Sequence, residues 1–139
     1  MATRSLIGLQ VDNRIKYVYC HYDGYPEHNG QILIDHYMTS TKIEQLIELG
    51  DLSFLAPEIG EYNDFDNSNS DICCFYGRDR SENNTEYREC SNSNDLIDAG
   101  KNRWADYVYL FDGNDWLVSA CYSYYCEYKQ VRSLLKKVA

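Results

Sequence analysis

The chain has 139 residues, about the length of one domain, and 44% of them are apolar, enough for a real core. Its formal net charge is -9, and no stripe of clustered Lys and Arg runs through it, which argues against direct binding of DNA or RNA and against anionic membranes. No run approaches the roughly 20 apolar residues that a membrane span needs, and the opening MATRSLIGLQV holds too short an apolar run for a secretory signal.

The expected setting is the cytoplasm, where six cysteines stay thiols because reducing conditions oppose disulfides. Fourteen tyrosines are many for this length. Tyrosine is large, amphipathic and has only two side-chain torsions, so it suits half-buried strand faces and contact surfaces alike.

Residues 5–11 (SLIGLQV) and 14–21 (RIKYVYCH) flank Asp12 and Asn13 and read as a hairpin. In the second strand Ile15, Tyr17 and Tyr19 point one way, and Lys16, Val18 and Cys20 the other. The strand runs straight into CHYDGYP, residues 20–26. From Asn29 the period becomes helical, with Ile32, Leu33, His36 and Tyr37 on one stripe. A second helix opens on a capping box, Thr41 to Glu44, carries Ile43, Leu46 and Ile47, and stops at Gly50. Residues 51–55 are expected to begin the next turn of chain.

Residues 57–71 (PEIGEYNDFDNSNSD) are polar loop. The run 72–76 (ICCFY) has strand length, 77–84 is a charged turn, and 85–90 is its expected partner strand. A short helix is expected over 94–100. Residues 107–111 and 116–122 form a second hairpin around Asp112 and Gly113, and Val131, Leu134, Leu135 and Val138 predict a last helix. Together these elements predict one α+β domain over 1–139, a mainly antiparallel sheet built from hairpins with helices packed on one face.

His21 and Asp23 lie two apart at a strand end. A carboxylate beside an imidazole orients it and raises its pKa, half of a general-base device. The competing reading is a turn, because Asp23, Gly24 and Pro26 each have turn chemistry of their own. No G-x-S-x-G, Walker loop or H-E-x-x-H occurs, so no enzyme activity is expected. Paired zinc spacing is also missing: Cys73 and Cys74 are adjacent, and Cys121 and Cys126 have no matching second pair. No metal or cofactor is expected.

Arg78 and Arg80 form the one dense basic spot. They either answer the acidic loop before them or, beside His21, Tyr22 and Tyr25, hold an anionic, stackable ligand. No Lys or Arg falls in 43–77 or in 105–127. Two such acidic blocks could meet as one negative face, with Asp64, Asp66 and Asp71 at its densest part, or could simply be solvated loops.

Taken in order, CHYDGYP, LIELGDLSFLAPEIG, FYGRDR and YVYLFDG before Trp116 resemble a family of small, mostly uncharacterised phage and prophage proteins, over about residues 5–116. The resemblance implies a phage-type accessory protein in the cytoplasm of the host cell. It would bind and inhibit a host protein, one of defence or of nucleic-acid handling. It brings no assigned catalytic residues. The Cys- and Tyr-rich tail after Trp116 and the Asn/Ser/Asp stretch at 64–71 depart from it.

Besides an enzyme around His21 and Asp23, two functions compete. One is docking of an acidic, Tyr-rich surface, including Asp64, Asp66 and Asp71, on a basic or nucleic-acid-binding host protein. The other is binding of a small anionic ligand, such as a signalling nucleotide, by His21, Tyr22, Asp23 and Tyr25 with Arg78 and Arg80.

Overall fold

The structure, a computed structural model, describes residues 2–123 and 125–135. Strands β1 (Ser5–Val11) and β2 (Arg14–Cys20) form the expected hairpin, pairing from Ser5 with Cys20 to Val11 with Arg14. Asp12, at φ 54°, takes the left-handed turn conformation that Asp tolerates. Strands β6 (Tyr107–Phe111) and β7 (Trp116–Ala120) form the second, with Gly113 at φ 105° in its loop. The hairpins join through β1 and β6, which run parallel. Short strands β3 (Leu52–Phe54), β4 (Cys74–Phe75) and β8 (Lys129–Gln130) complete the order β4-β3-β2-β1-β6-β7-β8. Strand β5 (Arg88–Cys90) pairs with β2 beside β3. The fold is α+β with a mostly antiparallel, mixed sheet.

Both faces of the sheet are covered, a difference from the expectation that all helices share one. Helices α1 (Gln31–His36), α2 (Ser40–Glu48) and α5 (Val131–Leu135) place Leu33, Ile43, Leu46, Ile47 and Val131 over Ile7, Leu9, Val18, Cys20 and Trp116. On the other face α4 (Ser93–Asn102) sets Leu96 and Ile97 against Leu6, Ile15, Tyr17 and Val108. The central strands carry apolar side chains on both sides, so each needs a helical cover. Full burial of one such side chain contributes about 1.5–3 kcal/mol.

Other differences are local. Helix α2 is capped by Thr39, still extended at φ -116° and accepting from the Lys42 amide at 3.3 Å, while Thr41 already lies inside the helix. Gly50 does take the left-handed conformation, at φ 86°. Residues 52–54 are a strand. The charged turn is a short helix, α3 (Tyr76–Arg80), closed by Ser81 at φ 56°. Strand β5 pairs with β2, not with β4. Val138 lies outside the described residues.

Candidate ligand-binding cleft

The motif CHYDGYP is first a piece of architecture. Beyond β2, the amides of His21 and Tyr22 donate to Leu52 and Ser53 carbonyls at 3.0 Å, which carries the chain along β3. Asp23, at φ 59°, then turns it. Gly24 donates to the Thr3 carbonyl at 2.8 Å and accepts from the Tyr109 hydroxyl at 2.6 Å. A Cβ at Gly24 would sit 2.8 Å from Ser5 Cβ and 2.9 Å from Thr3 O. Close approach, not left-handed backbone, therefore requires the glycine. Pro26 opens a wide helical turn (Pro26–Gly30) that leads into α1.

The expected His21–Asp23 pair does not form. Side chains two apart share a strand face, but the left-handed turn at Asp23 breaks that relation. His21 Nδ1 instead meets the Tyr19 hydroxyl at 2.7 Å, and Asp23 accepts a long bond of 3.5 Å from Tyr25. Burial pushes the Tyr19 phenol up to about 12, so it keeps its proton, and which atom donates across this contact follows the imidazole tautomer. In the tautomer where the phenol donates, His21 carries its hydrogen on Nε2. Burial first and Arg4 second hold its pKa below the ordinary value, the reverse of a carboxylate-paired base.

His28 is set the other way. Its Nδ1 lies 2.9 Å from Asn29 Oδ1, while Asn29 Nδ2 donates to Ser5 Oγ and Cys20 Sγ. The amide oxygen must accept, so His28 donates from Nδ1.

The two arginines of FYGRDR also divide. Arg78 spends its fork inside the protein: it donates to the carbonyls of Ile59, Gly60 and Cys73 at 2.8–3.1 Å and pairs with Asp79 at 2.9 Å. Asp79 in turn accepts from the amides of Asn63 and Phe75. Arg78 thus holds the polar loop to α3 and is not available to a ligand, contrary to expectation. Arg80 points elsewhere. Its guanidinium lies 4.2 Å over the Phe65 ring and 5.4 Å from that of Tyr76, paired at the surface with Glu82. An exposed pair of that kind contributes little and can be exchanged.

Between these elements lies a cleft of about 380 Å³. His21 and Tyr22 come from the motif, Ser53 and Phe54 from β3, Phe65 and Ser68 from the polar loop, and Tyr76 and Arg80 from α3. The Cys74 thiol at its wall is pushed up to about 11 by burial and stays protonated. An adjoining recess of about 250 Å³ shares Tyr22, Phe54 and Ser68 and adds Asp23, His28 and Ser70. Flat rings, hydroxyls and one accessible guanidinium suit a flat, anionic molecule.

Tyr25 stands outside the cleft, tilted against His28 with ring centroids 6.1 Å apart. Asp64, Asp66 and Asp71 are exposed on the loop, where Asp64 caps the Asp66 amide and Asn69 caps that of Asp71, each at 2.9 Å. Asn63 ties this loop together by bonding both Asn69 and Ile72. The acidic blocks do not merge through the sheet, because β2 and β1 separate β3 from β6. Among the described residues no three His, Cys, Asp or Glu side chains are grouped to hold a metal ion, and no helix is long and apolar enough to cross a membrane.

Sequence reasoning missed Phe65, Ser68 and Tyr76. Phe65 carried a faint signal, as an aromatic residue in an otherwise polar run. In comparisons with protein-family models, with curated proteins and with solved structures, nothing matches the chain.

Proposed function

We propose that this chain is a binding protein, without catalytic turnover, whose cleft holds a small, flat, anionic ligand of nucleotide size. The observation that carries this is the meeting of His21, Tyr22 and Arg80, from separate stretches of sequence, with Phe65 and Tyr76 around one cavity. Its volume lies within the range of ordinary small-molecule sites, about 300–1,000 Å³. In the phage context implied by the sequence resemblance, such a protein would act in the host cytoplasm by sequestering a signalling nucleotide.

The test is native mass spectrometry of the purified protein, followed by calorimetric titration with nucleoside monophosphates and with inorganic phosphate. A co-purifying nucleotide, or micromolar binding that Arg80→Gln weakens, supports the reading. Absence of both, with the protein folded, overturns it.

A second reading is docking on a basic host protein, one of defence or nucleic-acid handling. It draws on Tyr62, Trp104, Tyr122 and Tyr125, which are 59–85% exposed, and on the net charge of -9. Exposed aromatic residues are the usual anchors of such contacts. Replacing Asp64, Asp66 and Asp71 together by Asn should then slow association, and the loss should vanish at high salt. An association rate indifferent to both changes would leave the charge as a solubility feature.

A further inference from the structure

The cleft and its recess differ in charge, with Arg80 at the one and Asp23 at the other. At the cleft end Arg80 offers a guanidinium, and His21 adds Nε2–H in the tautomer where Tyr19 donates to Nδ1. At the recess end Asp23 offers a carboxylate, beside His28, whose Nδ1 is turned to Asn29. Arg80 can only donate and an ionised Asp23 can only accept, while the hydroxyls of both spaces can do either. Between them Tyr22 and Phe54 line both spaces and supply flat walls.

We infer that the ligand lies in one direction only, as a guanine nucleotide with its phosphate at Arg80 and His21 and its base edge at Asp23. This rests on the reading of the cleft as an anion site. A phosphate accepts only, so it belongs with the donors and is repelled by Asp23. The other end needs a group that donates. An ionised carboxylate accepts through two parallel oxygens, so its best partner carries two adjacent donors.

Among the common bases only guanine shows such an edge, N1–H beside the N2 amino group. Adenine and cytosine place a ring acceptor next to their amino group, and uracil flanks its single N–H with carbonyls. Among the described residues Asp23 has one side-chain bond, at 3.5 Å, and its left-handed backbone is a conformation that Asp and Asn tolerate better than most residues.

The experiment is calorimetric titration of wild type, Asp23→Asn and Arg80→Gln with GMP, AMP and inorganic phosphate. Asn fits the left-handed turn, and circular dichroism checks that the fold is kept. GMP should bind about tenfold or more tighter than AMP, as a good bidentate base contact discriminates. Asp23→Asn should erase that preference by weakening GMP alone, whereas Arg80→Gln should weaken both nucleotides. Equal binding of GMP and AMP, or a GMP preference that survives Asp23→Asn, overturns the orientation and leaves the anion site standing. If neither nucleotide nor phosphate binds wild type, both fall together.

Discussion

Arg88 grips Asp51 with one guanidinium nitrogen 3.2 Å from both carboxylate oxygens, at the point where β2 changes neighbours along one edge. Strand β5 pairs with Ile15 to Tyr17, and β3 takes over at Cys20. In the gap the Tyr19 amide has no strand partner and donates to Asp51 Oδ1 at 2.9 Å. A side chain thus completes a ladder that two short strands leave open, and Arg88 keeps that side chain charged.

Removing Arg88 should therefore cost more than an ordinary surface pair. Arg88→Ala leaves a buried carboxylate without its cation, and the loss should be about 2 kcal/mol or more. Burial holds the Asp51 pKa above the ordinary carboxylate value, with the Tyr19 amide and Arg88 pulling it back down. A raised folded-state pKa favours the folded protein in acid, and that contribution is lost as pH rises through the folded value. Without Arg88 the pKa climbs further, so Arg88→Ala should lose more stability at pH 8 than at pH 5. Urea unfolding at the two pH values reads this directly, and an equal loss at both would contradict it.

The arginines of α3 should separate cleanly. Arg78→Ala strips three carbonyls and Asp79 of their partner and should destabilise by about 3 kcal/mol. Arg80→Ala removes an exposed pair and should change stability by no more than about 1 kcal/mol. Thermal melting of the two variants side by side tests the assignment, and a large loss at Arg80 would make it structural too.

Gly24→Ala should destabilise by about 1–3 kcal/mol through crowding against Ser5 and Thr3. The left-handed residue of this turn is Asp23, not the glycine. Asp23→Gly should consequently be tolerated. Melting temperatures in the opposite order would show that backbone conformation, not space, decides this turn.

Trp104 closes α4 where glycine is usually found. Its amide donates to Lys101 O at 3.3 Å and that of Ala105 to Gly100 O at 2.9 Å, the paired bonds of a Schellman end, with Trp104 at φ 60°. Its side chain is 79% exposed. Trp104→Gly relieves the backbone while giving up little packing, so it should raise stability by about 0.5–1 kcal/mol, offset in part by a freer unfolded chain. A fall in melting temperature would mean the indole packs more than its exposure indicates.

Legibility followed locality. Both hairpins were readable because Asp12 with Asn13 and Asp112 with Gly113 announce turns within a few residues. Helix α2 was readable from its stripe, although its cap was not, since Thr39 and Thr41 are chemically alike and only backbone conformation separates them. The partner of β5 had no local signature: what sets it beside Ile15 to Tyr17 lies some seventy positions earlier in the chain. Helix α3 is too short to show a period. In the cleft, His21, Tyr22 and Arg80 stood out by residue type, but Arg78 looked the same as Arg80 until their directions were known. Phe65 and Ser68 reach the cleft through a loop that Asn63 folds, and no spacing rule encodes that.

The parallel pairing of β1 with β6 has a consequence for synthesis. Ser5 finds its neighbour in Tyr107, and Leu9 in Phe111. During translation the first hairpin emerges early and can close by itself, yet one edge of β1 waits until most of the chain has left the ribosome. Contacts this distant in sequence slow folding, and an open apolar edge is where nascent chains stick to one another. Helix α4, which covers one side of that hairpin, is made just before β6 and gains Val108 as a neighbour only when β6 arrives. Until β6 is made, therefore, that edge of β1 has no partner strand.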